Sequence, residues 1–161
     1  MQQFETIVAL ITPRVQHGVV TIDENATPKA LIIPNQDLYA VCHELYHNPA
    51  TYFDMLSCIT GLDNGAEAGT MEVIYNLYSI PHDLHLMVKV VLPRTELAVD
   101  SLCALWKTAD WFEREVFDMY GITFRNHPDL RRILLPADWQ GYPLRKDYQQ
   151  QDYYRNIKVE Y

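Results

Sequence analysis

Two histidines four residues apart form a pattern associated with zinc chemistry. His43 and His47 stand in the order His-Glu-Leu-Tyr-His, which matches the HExxH helix of zinc proteases, with Glu44 in the position of the general base. The apolar residues of the same predicted helix are Leu38, Val41, Cys42 and Leu45. At about 100° per residue, both histidines fall on the face opposite to these residues. Pro49 follows closely and no obvious third ligand is present, so we expect a solvated pair.

The cysteines do not indicate a cluster site. Cys42, Cys58 and Cys103 are well separated and each lies in an apolar stretch, which predicts reduced, buried thiols. An iron–sulfur cluster would need about four cysteines. The sequence contains no GxGxxG, P-loop or GxSxG motif. We therefore expect neither a cluster nor a nucleotide-binding loop in this chain.

Acidic residues in the middle of the chain could in principle serve acid–base chemistry. Nothing in their spacing singles one out, and carboxylates are mostly exposed in proteins, so we expect solvated positions. The residues concerned are Asp54, Asp63, Glu67 and Glu72.

The charge and hydropathy of the chain exclude several classes of partner. The chain has 161 residues and a formal net charge of −8, which argues against nucleic acid and against an anionic lipid surface. No run of about 18 apolar residues occurs, so we expect no direct membrane insertion. The first five residues carry no basic group, so no signal peptide is predicted.

The segment 111–148 concentrates aromatic and charged side chains. We predict a helix over 111–120 that ends at Gly121, followed by an extended strip in which prolines prevent helix formation. Arginine binds carboxylates through two parallel hydrogen bonds, which fixes the register between surfaces. The strip has too few apolar residues for a core of its own, so it must lie either on its own domain or on another subunit. Composition alone leaves both possibilities open.

The elements before this segment predict a platform for it. The hydrophobic periodicity indicates a short helix over 2–12, a hairpin of 19–22 with 29–33, and a helix over 36–46 capped by Asn35.

Alternating apolar residues predict strands over 52–59, 71–77 and 84–92. A helix is then predicted over 99–106, from the spacing of Val99, Leu102, Cys103 and Trp106. For the last helix, Asp110 and Glu113 resemble a capping box. Arg114 and Asp118 are spaced to form an ion pair.

Together these elements predict an α+β fold, with a mixed, largely antiparallel sheet packed against helices on one side in two layers. We expect a globular domain over residues 1–120 and an extended, partner-docking C-terminal strap over residues 121–161. The globular domain would serve as a rigid platform for the strap.

The helix and strip together resemble a known family. The run from Glu113 through Gly121 to Leu134, which includes His-Pro-Asp-Leu-Arg-Arg, resembles the signature of the C subunit of NADH-quinone oxidoreductase, respiratory complex I. This subunit is also called the thirty-kilodalton subunit. Residues 136–148 resemble the second, C-terminal motif of that family. The two motifs span 38 contiguous residues, 111–148. Asn126 and Tyr142 depart from the usual glycine and histidine, outside the charged part of the motif.

The resemblance implies a non-catalytic subunit of the peripheral arm of a proton-translocating enzyme. It would sit on the cytoplasmic side of the bacterial inner membrane and pack against the D subunit, of the forty-nine-kilodalton type, with the B and I subunits nearby. FMN and the iron–sulfur clusters would belong to partner subunits, and this chain would bind no cofactor. The residues expected to contact the partner are Trp111, Arg114, Asp118, Tyr120, Gly121, His127, Pro128, Asp129, Arg131, Arg132, Trp139, Arg145, Asp147 and Tyr148.

Two alternatives remain. The equivalent subunit of a membrane-bound, energy-converting hydrogenase would share the docking role with a different electron donor and acceptor. A zinc hydrolase that uses His43 and His47 is the more remote alternative.

Overall fold

The computed structural model describes residues 2–159, so the last two residues of the predicted strap, 160 and 161, lie outside the described residues. The helices are α1 Gln2–Ile11, α2 Leu38–His47 and α3 Ala109–Tyr120, with single 3₁₀ turns at Thr12–Arg14 and Asn35–Asp37. The strands are β1 Thr21–Asp23, β2 Ala30–Ile32, β3 Met55–Asp63, β4 Thr70–Ser79, β5 Leu84–Pro93, β6 Ala98–Asp100, β7 Thr123–Arg125, β8 Tyr153–Tyr154 and β9 Ile157–Lys158.

The five-stranded sheet is mixed and largely antiparallel, as predicted. Its order is β1-β2-β5-β4-β3. The pairing of β2 with β5 is parallel, while the β1–β2, β4–β5 and β3–β4 pairings are antiparallel. Burial alternates along β4 and β5, because successive side chains of a strand point to opposite faces.

The helices cover one face of this sheet, which confirms the two-layer prediction. The buried side chains of β4 and β5 share one core cluster with those of α2 and α3. The apolar stripe of α2 is buried at the four positions that its periodicity predicts, Leu38, Val41, Cys42 and Leu45. On the other face of the sheet, apolar residues such as Met55, Leu62 and Val91 are exposed.

The helix predicted over 99–106 is wrong. Residues Ala98–Asp100 form β6, which pairs in parallel with β7. Tight turns follow, in which the N–H groups of Leu105 and Trp106 both bond to the carbonyl of Leu102. These turns bring apolar residues to one side at a spacing of three to four, which mimics helical periodicity. The indole of Trp106 donates to the carbonyl of Phe53 at 3.0 Å and so ties the turns to the core.

Both predicted side-chain caps are also wrong. Asn35 does not cap α2, because its amide donates to the carbonyl of Ala98 at 2.8 Å. Thr108 is the N-cap of α3, and it makes no side-chain cap bond. Glu113 turns into the core, where it accepts the N–H of Leu102 at 2.7 Å. In each case a tertiary contact outcompetes a local one.

The globular part extends beyond the predicted boundary at residue 120. Ile122 and Phe124 are buried in the main core cluster, and β7 pairs with β6. The body therefore continues through Arg125. The tail, which we define as residues 126–159, begins at Asn126, a residue with a φ of 64°.

Candidate functional site

The HExxH pair lies on the solvent-facing side of α2, as predicted. His43 and His47 are both exposed, and within residues 2–159 no third metal-ligating side chain joins them in a close group. Glu44, which would have to act as general base, accepts hydrogen bonds from Arg14 Nε at 2.9 Å and from Asn48 Nδ2 at 2.7 Å. Both oxygens of the Glu44 carboxylate are thus occupied by hydrogen bonds. The pair also lacks the third protein ligand of a catalytic zinc site.

A group of metal-ligating side chains lies elsewhere, between α3 and the turns on either side of it. Cys103, Glu113 and His127 place their donor atoms within 4.8 Å of one another. Cys103 Sγ lies 3.5 Å from Glu113 Oε2, and His127 Nε2 lies 4.0 Å from the same oxygen. Burial raises the pKa of Glu113 and raises the pKa of Cys103 to about 12. Both groups are therefore held toward their neutral forms.

The hydrogen bonds of His127 fix its tautomer against metal binding. Nδ1 accepts the backbone N–H of Asp129 at 3.0 Å, so the ring proton resides on Nε2. Nε2 donates to the carbonyl of Asp110 at 3.1 Å. Neither nitrogen retains a free lone pair for a metal. The buried ring thus anchors the first turn of the tail to α3.

Asp118 is the main attachment point of the tail. Its carboxylate is fully buried on α3. Oδ2 accepts the consecutive backbone N–H groups of Ile133, Leu134 and Leu135 at 2.8–3.0 Å, and Oδ1 accepts Arg132 Nη1 at 2.7 Å. The predicted pairing of Arg114 with Asp118 is therefore wrong. The Arg114 guanidinium instead donates to the carbonyls of residues 131 and 132.

Two arginines continue the attachment beyond Asp118. Arg132 Nη2 donates to the carbonyls of Trp139 and Gly141 at 3.1 and 3.0 Å. Arg145 Nε donates to the carbonyl of Tyr120 at 2.6 Å. Both guanidinium groups lie over the ring of Tyr142, at 5.2 and 4.5 Å from its centroid, which adds a cation–π attraction.

Gly121 lets the tail cross the end of α3 at close range. It adopts a φ of 71°, and its N–H donates to the carbonyl of Phe117 at 2.8 Å, which closes the helix as predicted. A Cβ at this position would lie 2.5 Å from both Arg145 Nη2 and the ring of Tyr142. The position therefore requires glycine for its conformation and for the approach of the tail.

A second set of contacts, around Asp63 and Arg94, attaches the tail to the far end of the sheet. Asp63, which the sequence predicts to be solvated, is buried; that prediction is wrong. Its carboxylate accepts Arg94 Nη2 at 2.6 Å and the backbone N–H of Lys146 at 2.8 Å. Arg94 also donates to Asp147 at 3.0 Å. No local sequence pattern predicts the contacts of Asp63 and Arg94, because their partners are far apart in the sequence.

The last part of the tail packs on itself. The indole of Trp139 donates to the hydroxyl of Tyr148 at 3.2 Å and lies 5.1 Å from the ring of Tyr154. Asp138 accepts hydrogen bonds from Tyr154 and Arg155. Of the predicted contact residues, Trp139 and Tyr148 are thus brought together, half-buried within the tail.

A smaller set of residues lies on the outer side of α3; four of them are predicted contact residues, and the fifth, Leu134, is not. Trp111 is 66% exposed and Leu134 is 61% exposed. The guanidinium of Arg114 lies 5.9 Å from the ring of Trp111 and connects it to the strip. Asp129 and Arg131 pair at 2.8 Å on the same strip, largely in solvent. We call these five residues the α3 ridge.

A comparison with protein families identifies the chain. The family described as "Respiratory-chain NADH dehydrogenase, 30 Kd subunit" matches residues 31–154. The chain belongs to this family. The matched range covers α2, α3, nearly all of β2 to β5, and the tail through β8. The thirty-kilodalton subunit family therefore accounts for the platform from β2 onward and for most of the tail.

Relatives within the thirty-kilodalton subunit family support the same assignment. The chain is 41% identical over 146 residues to the C subunit of NADH-quinone oxidoreductase from Chloroherpeton thalassium, with 89% of this chain and 60% of the relative covered. It is 37% identical over 131 residues to the C subunit from Geotalea uraniireducens, with 81% and 79% covered. The chain thus spans less than two thirds of the first relative and more than two thirds of the second.

Solved structures share the fold. The trypsin-resistant fragment of Nqo5 aligns with a TM-score of 0.62 at 25% identity, covering 80% of this chain and 99% of the fragment. A chain of the archaeal membrane-bound sulfane sulfur reductase aligns with a TM-score of 0.73 at 18% identity, covering 92% and 86%. Among the described helices, none has the length and apolar character needed to cross a membrane.

Proposed function

We propose that this chain is a non-catalytic subunit of the peripheral arm of a proton-translocating NADH-quinone oxidoreductase, where it docks to the forty-nine-kilodalton-type D subunit. Membership of the thirty-kilodalton subunit family supports the assignment to the complex. In this role the body is a platform, and the tail with α3 forms the face turned to the partner. Electrons pass from NADH to quinone through FMN and iron–sulfur clusters of partner subunits, with the B and I subunits nearby. The chain is held on the cytoplasmic side of the inner membrane by the complex.

The α3 ridge is the observation that carries the docking proposal. Trp111 exposes most of a large aromatic surface beside a cation, Arg114. Tryptophan and arginine dominate the binding energy of protein interfaces when they are buried by a partner. Within the described part of the chain, the guanidinium of Arg131 pairs with an exposed carboxylate, so a partner carboxylate can compete for it at little cost.

The remaining predicted contact residues have a supporting role in this proposal. Asp118, Arg132 and Arg145 are occupied by hydrogen bonds within the chain. They bind the backbone N–H groups of residues 133–135 and the carbonyls of residues 120, 139 and 141, so that the ridge is presented as a fixed surface. A preorganised surface loses less conformational entropy on binding than a flexible one does.

Affinity measurements with the purified D subunit test the proposal. We expect Trp111→Ala and Arg131→Ala each to weaken binding by about 2 kcal/mol, roughly 30-fold in Kd. Tyr39→Ala is the control, since Tyr39 is an exposed aromatic residue on α2, outside both α3 and the tail. Each variant should keep the unfolding free energy within about 0.5 kcal/mol of the parent. Unchanged affinity for both ridge variants would defeat the docking assignment.

The equivalent subunit of a membrane-bound, energy-converting hydrogenase is the second candidate. The likeness to a chain of the sulfane sulfur reductase complex supports only a shared fold, because the identity is 18%, and it does not distinguish the two candidates. Purification from the native membrane separates the two candidates. NADH-quinone oxidoreductase subunits should co-purify with the chain, whereas hydrogenase subunits in their place would support the alternative.

A further inference from the structure

We propose that His43 and His47 on α2 form a two-ligand site for a divalent transition-metal ion of the copper, nickel and zinc group. The site is independent of docking through α3 and of any hydrolase activity. It rests on the exposed face of α2, which the proposed function leaves unused.

The two rings already lie close together, one stacked on the other. Their centroids lie 4.1 Å apart and their planes differ by 26°. A metal bonded to Nε2 lies about 3.2 Å from the centroid of each imidazole, so two rings at a right angle on one ion have centroids about 4.5 Å apart. The separation of the pair is therefore close to that of two histidines on a shared ion, and binding requires the rings to turn out of their stacked arrangement until both Nε2 atoms face the ion.

The tautomer of His47 favours binding, in contrast to that of the buried His127. His47 Nδ1 lies 3.0 Å from the backbone carbonyl of His43. A carbonyl can only accept, so Nδ1 carries a proton, and in the neutral ring the free lone pair is then on Nε2. A hydrogen bond of this kind, from the ring nitrogen that does not bind the metal, orients histidine ligands in metal sites.

The surroundings give an ion room for further ligands. The pair borders an open groove of about 570 Å³ that is also lined by Arg14, Tyr39 and Asn48. The positive charge of Arg14 is compensated by Glu44, at 2.8 Å, which limits its repulsion of a cation. Water can fill the remaining coordination positions. Because Glu44 is committed to Arg14, the site has no free general base, and we infer binding without hydrolysis.

Titration of the full chain with Cu²⁺ and Ni²⁺ in a non-coordinating buffer tests the site. We expect one site per chain that is tighter than any other, with Cu²⁺ bound more tightly than Ni²⁺. His43→Ala and His47→Ala should each weaken this site about tenfold or more, because each removes one of two ligands. His85→Ala is the control, since His85 is an exposed histidine on β5. Both α2 histidines are exposed, so the variants should fold normally, which circular dichroism verifies.

Electron paramagnetic resonance of the Cu²⁺ complex gives a second readout. Coupling to two imidazole nitrogens is expected in the parent and to one in each α2 variant. Equal weakening by His85→Ala, several equivalent weak sites, or a spectrum unchanged in His43→Ala would show an adventitious ion only and would overturn the proposal.

Discussion

Nη1 of Arg132 lies 2.7 Å from Oδ1 of Asp118, although 14 positions separate the two residues in the sequence. The aspartate is fully buried and the arginine is largely buried. Further hydrogen bonds join each of them to backbone atoms of the tail. Ion pairs of this kind are expensive to break, because removal of one partner leaves the other charge without compensation.

We expect Asp118→Ala to lower the free energy of unfolding by about 3 kcal/mol. The substitution leaves Arg132 without its carboxylate and three backbone N–H groups without an acceptor. Urea denaturation measures the loss as a lower midpoint at constant slope. Asp129→Ala is the control, since Asp129 pairs with Arg131 at the surface and should change stability by less than about 0.5 kcal/mol. Equal midpoints for the two variants would contradict the central role of Asp118.

Acid should weaken the same contact. Burial alone would raise the pKa of Asp118, but hydrogen bonds from Arg132 and from the N–H groups of residues 133–135 outweigh it and hold the pKa below the ordinary value of 3.8. A lowered pKa in the folded state stabilises the fold above the unfolded value and loses this contribution as the pH falls through the folded value. The advantage of the parent over Asp118→Asn should therefore be constant near neutrality and shrink below about pH 4. An advantage that is independent of pH down to 2 would argue against this assignment.

Glu113 should show the opposite dependence on pH. Burial raises its pKa above the ordinary value of 4.5, so the folded state favours the protonated form. The stability that this contributes is complete at low pH and is lost as the pH rises through the raised value. Glu113→Gln keeps an acceptor for the N–H of Leu102 and does not titrate. The unfolding free energy of Glu113→Gln, relative to that of the parent, should therefore increase between pH 4.5 and neutrality.

The control for this experiment is Glu115→Gln, two positions along the same helix, where the side chain is exposed. Its difference from the parent should remain flat over the same pH range. If the stability difference between Glu113→Gln and the parent is equally independent of pH, the Glu113 carboxyl is not held in its neutral form.

Two glycines with similar φ values separate the effects of backbone strain from those of crowding. Gly121 has a φ of 71° and is crossed by Tyr142 and Arg145, whereas Gly69 has a φ of 63° and open space around its Cβ direction. Gly69→Ala should lower the free energy of unfolding only through backbone strain, by about 1 kcal/mol. Gly121→Ala should cost roughly 2 kcal/mol or more and should also expose the tail to trypsin. Equal costs without increased cleavage would mean that the tail does not depend on close contact with Gly121.

Local patterns in the sequence predicted most of the body correctly. The face of α2 and the alternation of β4 and β5 follow from periodicity, which depends only on neighbouring residues. The glycine at the end of α3 was predicted for the same reason. The turns over 101–106 were mistaken for a helix, because consecutive tight turns and helices place apolar residues at the same spacing.

The contacts that attach the tail to the body could not be predicted in this way. Lys146 reaches Asp63 across 83 residues, and no periodicity in either segment records that contact. Arg114 and Asp118 have the spacing of a helical pair, but a buried carboxylate gains more from Arg132 and backbone N–H groups than from a surface partner. Composition left open whether the strip lies on its own domain, and these contacts show that much of it does.

The order of the contacting residues along the chain has a consequence for biosynthesis. Asp63, Arg94 and Asp118 all precede the segment that they hold. A ribosome releases the chain from its N-terminus, and the earlier part can fold while the later part is still being made. A nascent chain that has emerged only as far as Arg125 would bury two carboxylates whose main-chain donors have not yet left the ribosome. The α3 ridge, as the proposed docking surface, would then be held in place only after Arg145 has left the ribosome, which delays assembly until the body and most of the tail have emerged.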